Sequence, residues 1–204
     1  MKRAGGAIDG GEVRVVPACQ ASWDDLQKIL TGTAGQCQCE RQRLGDGDWW
    51  YMPVDERTAL LRSEVGCDDP RANETIGVVA YEGDEPVGWC AVDRRSVYAR
   101  LRNSPVPWKG RSEQKDDESV WAITCLIVRP GHRGRGLTYP LVAGAVAHAR
   151  KQGASAIEGY PMVTGGGTVT WGEMNVGSVG PFSAAGFSEV SRPTVRRVVM
   201  RLEL

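Results

Sequence analysis

Histidine is scarce in this chain of 204 residues: only His132 and His148 are present. A histidine-rich metal centre is thereby excluded. An excess of either charge is also lacking, with 25 basic residues against 25 acidic ones. Composition therefore points to no polyanionic partner such as nucleic acid. No apolar run reaches the ~18 residues that a membrane helix needs, so no membrane association is expected. The opening MKRAGGAIDGGEV has basic residues with no apolar stretch behind them, unlike a signal peptide. Residues 1–12 read as a flexible glycine-rich tail, and 13–204 as one domain. Six cysteines are spread widely, and Cys90 and Cys125 lie inside apolar runs where free thiols are common. Free thiols and a reducing cytoplasm are the expectation.

What is present is an alternation of strand and helix signals. VRVVP (13–17) reads as a strand. SWDDLQKIL follows with Ser22 as N-cap and Trp23, Leu26, Ile29 and Leu30 at helical spacing. Residues 31–52 are polar and turn-rich without a period. Residues 53–65 return to a helical pattern. ETIGVVAYEGDEPVGWCAVD is a hairpin, with strands at 76–81 and 86–92 around EGDE. SVYARLRN suggests a short helix, and PVPWKGRSEQKDDES a surface loop. A buried strand spans 120–128, a long helix 139–152 and another strand 156–160. VTGGGTVTWGEMNVG is irregular, PFSAAGF a short helix stopped by Gly186, and VRRVVMRLEL a last strand. The pattern is α/β: a mixed central sheet flanked by helices.

Between the strand at 120–128 and the long helix lies RPGHRGRGLT (129–138). Glycines let backbone amides approach a ligand closely, and a helix N-terminus favours an anion. The spacing is neither that of a nucleoside-triphosphate P-loop nor that of a dinucleotide fold. Phosphate or pyrophosphate binding is the expectation, and a solvated basic turn is the alternative.

The segment LIVRPGHRGRGLTYPLVAGAVAHARKQGA resembles the acetyl-CoA-binding motif of the GCN5-related N-acetyltransferases (GNAT). That pattern is Arg or Gln, two residues, Gly, one residue, then Gly or Ala. Arg133, Gly136 and Thr138 fall on these positions, and Thr138 departs from the small residue at the last. The hairpin resembles the family's second and third strands, and FSAAGFSEV its late helix and following strand. The whole chain also resembles a bacterial branch with a CxC near the start and EGYP after the long helix, a branch that implies no acceptor. The resemblance implies a GNAT fold with a splay between the fourth and fifth strands. It implies that backbone groups of Leu126, Ile127 and Val128 hold the pantetheine arm of acetyl-CoA. The pyrophosphate then lies on the amides of Arg133, Gly134, Arg135, Gly136, Leu137 and Thr138. Asn175, twelve residues before Phe187, matches the family's frequent CoA-contacting Asn. Acetyl passes directly to an amine of a small acceptor, and family members often pair as dimers.

Many members use a tyrosine five residues before the Phe of a Gly-Phe pair as the acid. Here that position is Phe182, with Ser183 beside it. Glu158 and Tyr160 are two apart on a strand and share a face. They are candidates for base and acid; an ordinary Glu and a core-edge Tyr are the alternative. Glu118 precedes the fourth strand, where the family sometimes places a base, but it sits in the solvated run KDDE. Trp49, Trp50 and Tyr51 form either a wall of the acceptor site or core. Cys37 and Cys39 have CxC spacing and few available partners, so no metal is expected. The competing functions are an acyl-CoA sensor that keeps the cofactor loop and has lost the chemistry, and a redox or metal switch centred on Cys37 and Cys39.

Overall fold

The computed structural model describes residues 12–67, 69, 75–164 and 174–204. The expected tail at 1–11 and most of the irregular VTGGGTVTWGE stretch lie outside these residues. One seven-stranded sheet runs in the order β1-β2-β3-β4-β5-β7-β6. Its strands are β1 (Val13–Pro17), β2 (Val78–Glu82), β3 (Glu85–Arg94), β4 (Val120–Val128), β5 (Ala156–Gly159), β6 (Ser188–Thr194) and β7 (Arg197–Glu203). Among the strands of the described residues, only β4 and β5 pair in parallel. The strand that the resemblance implies after Gly186 is β6, and it forms a hairpin with the last strand, β7, joined at 195–196.

The helices are α1 (Trp23–Ile29), α2 (Thr33–Cys37), α3 (Asp46–Tyr51), α4 (Val54–Val65), α5 (Ala99–Asn103), α6 (Thr138–Lys151) and α7 (Val179–Ala184). Ser22 caps α1 by accepting from the Asp25 amide at 3.1 Å. Two short helices, α2 and α3, occupy the stretch that shows no period. They are separated by consecutive left-handed residues, Gln38 and Cys39. This break prevents any continuous apolar face.

The apolar face of α6, including Leu141, Val142, Ala145 and Ala149, covers one side of the sheet. Gly144 allows the close approach: a Cβ there would stand 2.4 Å from Val15 Cγ1. On the other side, α1 and α4 bury Leu26, Ile29, Leu61 and Val65 against β2 and β3. A smaller cluster of Tyr98, Leu101, Ala122, Tyr160 and Val199 lies beside them. No helix of the described residues is long and apolar enough to cross a membrane.

The bulge on β4 positions the site. Ala91 faces Cys125 and Val92 faces Ile123, so Thr124 is an extra residue with no partner on β3. Pairing with β5 runs only from Val120–Ala156 to Ile123–Gly159. A bulge bends its strand and increases the local twist. From Thr124 onward β4 has parted from β5, forming the splay. Thr124 and Cys125 both contribute to the side away from α6.

Candidate active site

The loop from β4 to α6 carries three glycines in the left-handed region: Gly131, Gly134 and Gly136, at φ 89°, 76° and 77°. A Cβ on Gly134 would meet nothing within 4 Å. Conformation, and not crowding, therefore demands glycine there. Leu137 is buried, while Arg133, Gly134, Arg135 and Gly136 are exposed. Thr138 begins α6, and Leu141 makes the first full helical bond, to the Leu137 carbonyl at 3.3 Å. Pro140 in this first turn has no N–H to leave unpaired. Arg133 folds its Nε onto the Val128 carbonyl at 3.0 Å. Arg135 and His132 both reach Glu82 Oε2, at 2.8 and 3.2 Å.

The Arg129 amide donates to Val87 on β3 at 2.9 Å. Backbone direction alternates along a strand. The amides and carbonyls of Val128 and Leu126 therefore face the splay, and those of Ile127 face β3. The expectation that all three backbones serve the cofactor is corrected for Ile127, which turns its side chain to a cavity instead. That cavity, about 160 Å³, is lined by Ile127, Leu126, Cys125, Cys39, Trp49 and Asn175 among others. Asn175 lies in a 3-10 turn and not in a long helix. Gly177, at φ 75°, closes this side of the splay; a Cβ there would stand 2.7 Å from Leu126 Cδ1.

Of the aromatic trio, only Trp49 lines the cavity. It lies between Arg41 and Arg57, with guanidinium carbons 5.3 and 4.9 Å from the ring centre. Trp50 and Tyr51 are 67% and 89% exposed and point away, which corrects their grouping as one wall. Cys39 accepts from Trp89 Nε1 at 3.2 Å. Burial raises the Cys37 thiol to about 11, so it is a protonated, weakly nucleophilic group. All six cysteines are free thiols. Among the described residues no three His, Cys, Asp or Glu side chains could together hold a metal ion. His148 is buried, bonds the Thr75 carbonyl at 3.1 Å and packs on Trp121.

Glu158 is fully buried and clamped. It accepts from Arg95 at 3.0 Å, Arg201 at 3.1 Å, Arg111 through both oxygens, and the Tyr160 phenol at 2.8 Å. Burial pushes its pKa up, but the hydrogen bonds and charges of Arg111, with Arg95, outweigh it and hold the carboxyl below its ordinary value. Burial pushes the Tyr160 phenol well up, and Glu158 adds to the rise. The clamp draws in the stretch read as a surface loop. Trp108 is buried there, its ring facing Arg95 and Arg111 at 5.0 and 4.9 Å. A tryptophan amid charged residues was the available signal for docking. The three arginines come from separate elements and leave none.

Glu118 is exposed and precedes the paired end of β4. Thr124 is four strand residues beyond Val120, roughly 13 Å at ~3.3 Å per residue, and Glu118 lies in the turn before that. That separation removes Glu118 from the splay. Phe182 is core: it is fully buried, and a Cβ on Gly159 would stand 2.1 Å from its Cε1. Ser183 faces solvent.

A second cavity, about 250 Å³, opens on the other flank of the bulge. Thr124, Tyr160 and Val176 border it, with Leu101 from α5 and Val198 and Val199 from β7. The Thr124 hydroxyl is buried beside the Tyr98 phenol without a well-formed hydrogen bond between them. The strands part at the bulge, with the glycine loop at their end and a cavity on each side of it. Residues 42–160 match the model of the acetyltransferase (GNAT) family, more than half of the chain.

The chain belongs to the GNAT acetyltransferase family.

Solved structures share the GNAT fold over nearly the whole chain. An N-acetyltransferase from Staphylococcus aureus Mu50 is 13% identical with TM-score 0.51, covering 95% of this chain and 99% of that one. The Salmonella typhimurium protein yncA, solved with its cofactor acetyl-CoA, is 15% identical with TM-score 0.51, covering 95% and 93%. A GNAT-family acetyltransferase from Streptococcus pneumoniae is 13% identical with TM-score 0.50, covering 95% and 100%. No curated protein matches the sequence. The GNAT fold uses acetyl-CoA, and the residues present fit it: two splay-facing strand residues, a glycine loop at a helix start and two adjacent arginines.

Proposed function

We propose that the chain transfers acetyl from acetyl-CoA to an amine of a small acceptor seated in the cavity beside Thr124 and Tyr160. The observation that supports this reading most is the Thr124 bulge, which parts β4 from β5 between the glycine loop and that cavity. Acetyl-CoA, when bound, supplies an activated acetyl thioester. The amides of Arg133 to Thr138 hold its pyrophosphate, with Arg133 and Arg135 supplying charge. The Leu126 and Val128 backbones pair with the pantetheine arm as an added strand would, and the Ile127 side chain and Asn175 pack beside it. The Val128 carbonyl has two lone pairs, so the Arg133 bond does not exhaust it.

Thr124, without a register partner on either side, has its amide available to polarise the acetyl carbonyl. Tyr160 keeps its proton on the phenol oxygen and is the candidate acid for the leaving thiolate, with the proton shed by the attacking nitrogen restoring the phenol. Glu158 holds and orients Tyr160 in place of acting as the base, because its lone pairs are already engaged. With no carboxylate in the described lining of the cavity, the amine reacts from its neutral form, and positioning provides the remaining acceleration. The six free thiols suit a reducing compartment, and we place the protein in the cytoplasm.

The engagement of Tyr160 and the buried Phe182 favour one other reading, a non-catalytic acyl-CoA sensor. Release of free CoA thiol from acetyl-CoA with a panel of primary amines separates the two. Amine-dependent release supports transfer. Tight acetyl-CoA binding with no release for any amine supports the sensor.

A further inference from the structure

Two neighbouring hydroxyls beside the bulge are buried and unpaired. Thr124 is 3% exposed, and Tyr98, just ahead of α5, is 1% exposed. Neither Oγ1 of Thr124 nor the Tyr98 phenol oxygen has a hydrogen-bond partner among the described residues. The third hydroxyl of this region, that of Tyr160, is engaged by Glu158. An unpaired buried hydroxyl costs stability, so a neighbouring pair of them calls for an explanation. Thr124 borders the cavity that opens next to Tyr160, while Tyr98 is not among its described lining residues. Thr124 is also the bulge residue, with no register partner on β3 or β5. Its amide and its hydroxyl are thus both left over at one point, where the strands part.

Resting on the acetyltransferase reading above, we infer that Thr124 is a two-donor oxyanion site: its amide and its hydroxyl both bond the acetyl carbonyl oxygen of acetyl-CoA, and Tyr98 is the positioning residue that turns the hydroxyl toward it. The direction follows from the donors. Burial first, then the Asp93 charge, raises the Tyr98 phenol well above its ordinary value, so it keeps its proton. The Thr124 hydroxyl is the neighbour that can take that hydrogen bond. A hydroxyl oxygen accepts on its lone pairs and still has its own hydrogen to give. With Tyr98 donating from behind, the Thr124 hydrogen points into the cleft, where an acceptor oxygen completes the chain. As the amine nitrogen bonds the carbonyl carbon, the π electron pair moves onto that oxygen, and two aligned donors meet the growing charge. The Thr124 proton stays on Oγ1. The pair returns as the C–S bond breaks, and Tyr160 protonates the thiolate as described above.

The test loads the full chain with acetyl-CoA isotopically labelled at the acetyl carbonyl and reads the carbonyl stretch by infrared difference. Hydrogen bonds to the oxygen lower that frequency. The inference expects a lower frequency in wild type and Thr124→Ser than in Thr124→Val, with Tyr98→Phe between them. With the fastest amine of the panel above, Thr124→Val is expected to lose kcat on the order of a hundredfold, as removal of one oxyanion donor does, with KM for acetyl-CoA nearly unchanged. Thr124→Ser, which keeps the hydroxyl, recovers most of that loss. Thermal unfolding without ligand is the control: Thr124→Val removes an unpaired group and should melt at or above the wild-type Tm. One carbonyl frequency in wild type and Thr124→Val, or a wild-type kcat in Thr124→Val, overturns the inference. A Thr124→Val chain that melts lower or fails to fold also overturns it, because the hydroxyl would then be a structural bond. The expected frequency difference without CoA release for any amine supports the Thr124 contact and removes the transferase reading. Failure to bind acetyl-CoA removes both.

Discussion

The Tyr160 phenol donates to Oε2 of Glu158 at 2.8 Å, and that carboxylate also accepts from Arg95, Arg111 and Arg201. The pair joins the end of β5 to the segment between α5 and β4 that roofs the cavity. Removing the Glu158 charge leaves Arg95, with its side chain 1% exposed, without the carboxylate it pairs with. Glu158→Gln is expected to cost about 3 kcal/mol, roughly 6–12 °C in Tm for a chain of this size. Below its own Tm, the variant should keep kcat within about tenfold of wild type, as a scaffold residue would. A loss of a thousandfold or more in a folded variant would instead make Glu158 the base.

Tyr160→Phe separates the acid role from the scaffold. The ring and its packing remain, and one hydrogen bond to a charged acceptor is lost, about 1.5–3 kcal/mol. The expected result is a kcat at least tenfold lower with KM for acetyl-CoA nearly unchanged. An unaltered kcat would show that water protonates the leaving thiolate.

Phe182→Tyr would restore the residue that many family members use as acid, yet the structure predicts no gain. The ring is fully buried against Gly159 and edge-on to Phe187 at 5.3 Å. A hydroxyl on a fully buried ring is stripped of water, so a loss of about 1–3 kcal/mol is expected in thermal unfolding. Turnover more than twofold above wild type would contradict the placement of Phe182 in the core.

Burial, then the charge of Glu64, raises the Glu40 carboxyl to about 8 from 4.5. Glu40 Oε1 and Glu64 Oε2 are both buried with no other donor reaching them, as expected for two carboxyls that share a proton. The folded chain holds this proton more tightly than the unfolded one. Its contribution to stability is therefore full below about pH 4.5 and is lost as pH rises through about 8. Tm should fall over that window in wild type and fall less in Glu40→Gln. Parallel pH profiles would show that Glu40 is ionised in the folded chain.

Much of the scaffold can be read from local pattern. The β2–β3 hairpin, β4, α6 with its glycine loop, and β5 each carry a clean period or turn signal. Residues 31–52 do not, because α2 and α3 are short and the chain turns left-handed at Gln38 and Cys39 between them. The Thr124 bulge is likewise hidden within an uninterrupted apolar run, since nothing in WAITCLIV marks which residue loses its partner. The pairing of Glu158 and Tyr160 on one face followed from strand alternation. Their guanidinium partners did not, as Arg95, Arg111 and Arg201 meet only once the sheet and its insertion have folded. A glutamate that looks like a base in the sequence becomes, with those neighbours, a tether.

Thermal unfolding of the wild type and Arg133→Glu, with and without acetyl-CoA, tests the central claim most directly. At 100 times its Kd, a ligand adds about 2.7 kcal/mol, roughly 5–11 °C for a chain of this length. The account predicts such a shift in the wild type and its loss in the variant, where a carboxylate would repel the pyrophosphate. No shift at millimolar acetyl-CoA, or an equal shift in Arg133→Glu, would contradict the assignment of the glycine loop to the cofactor.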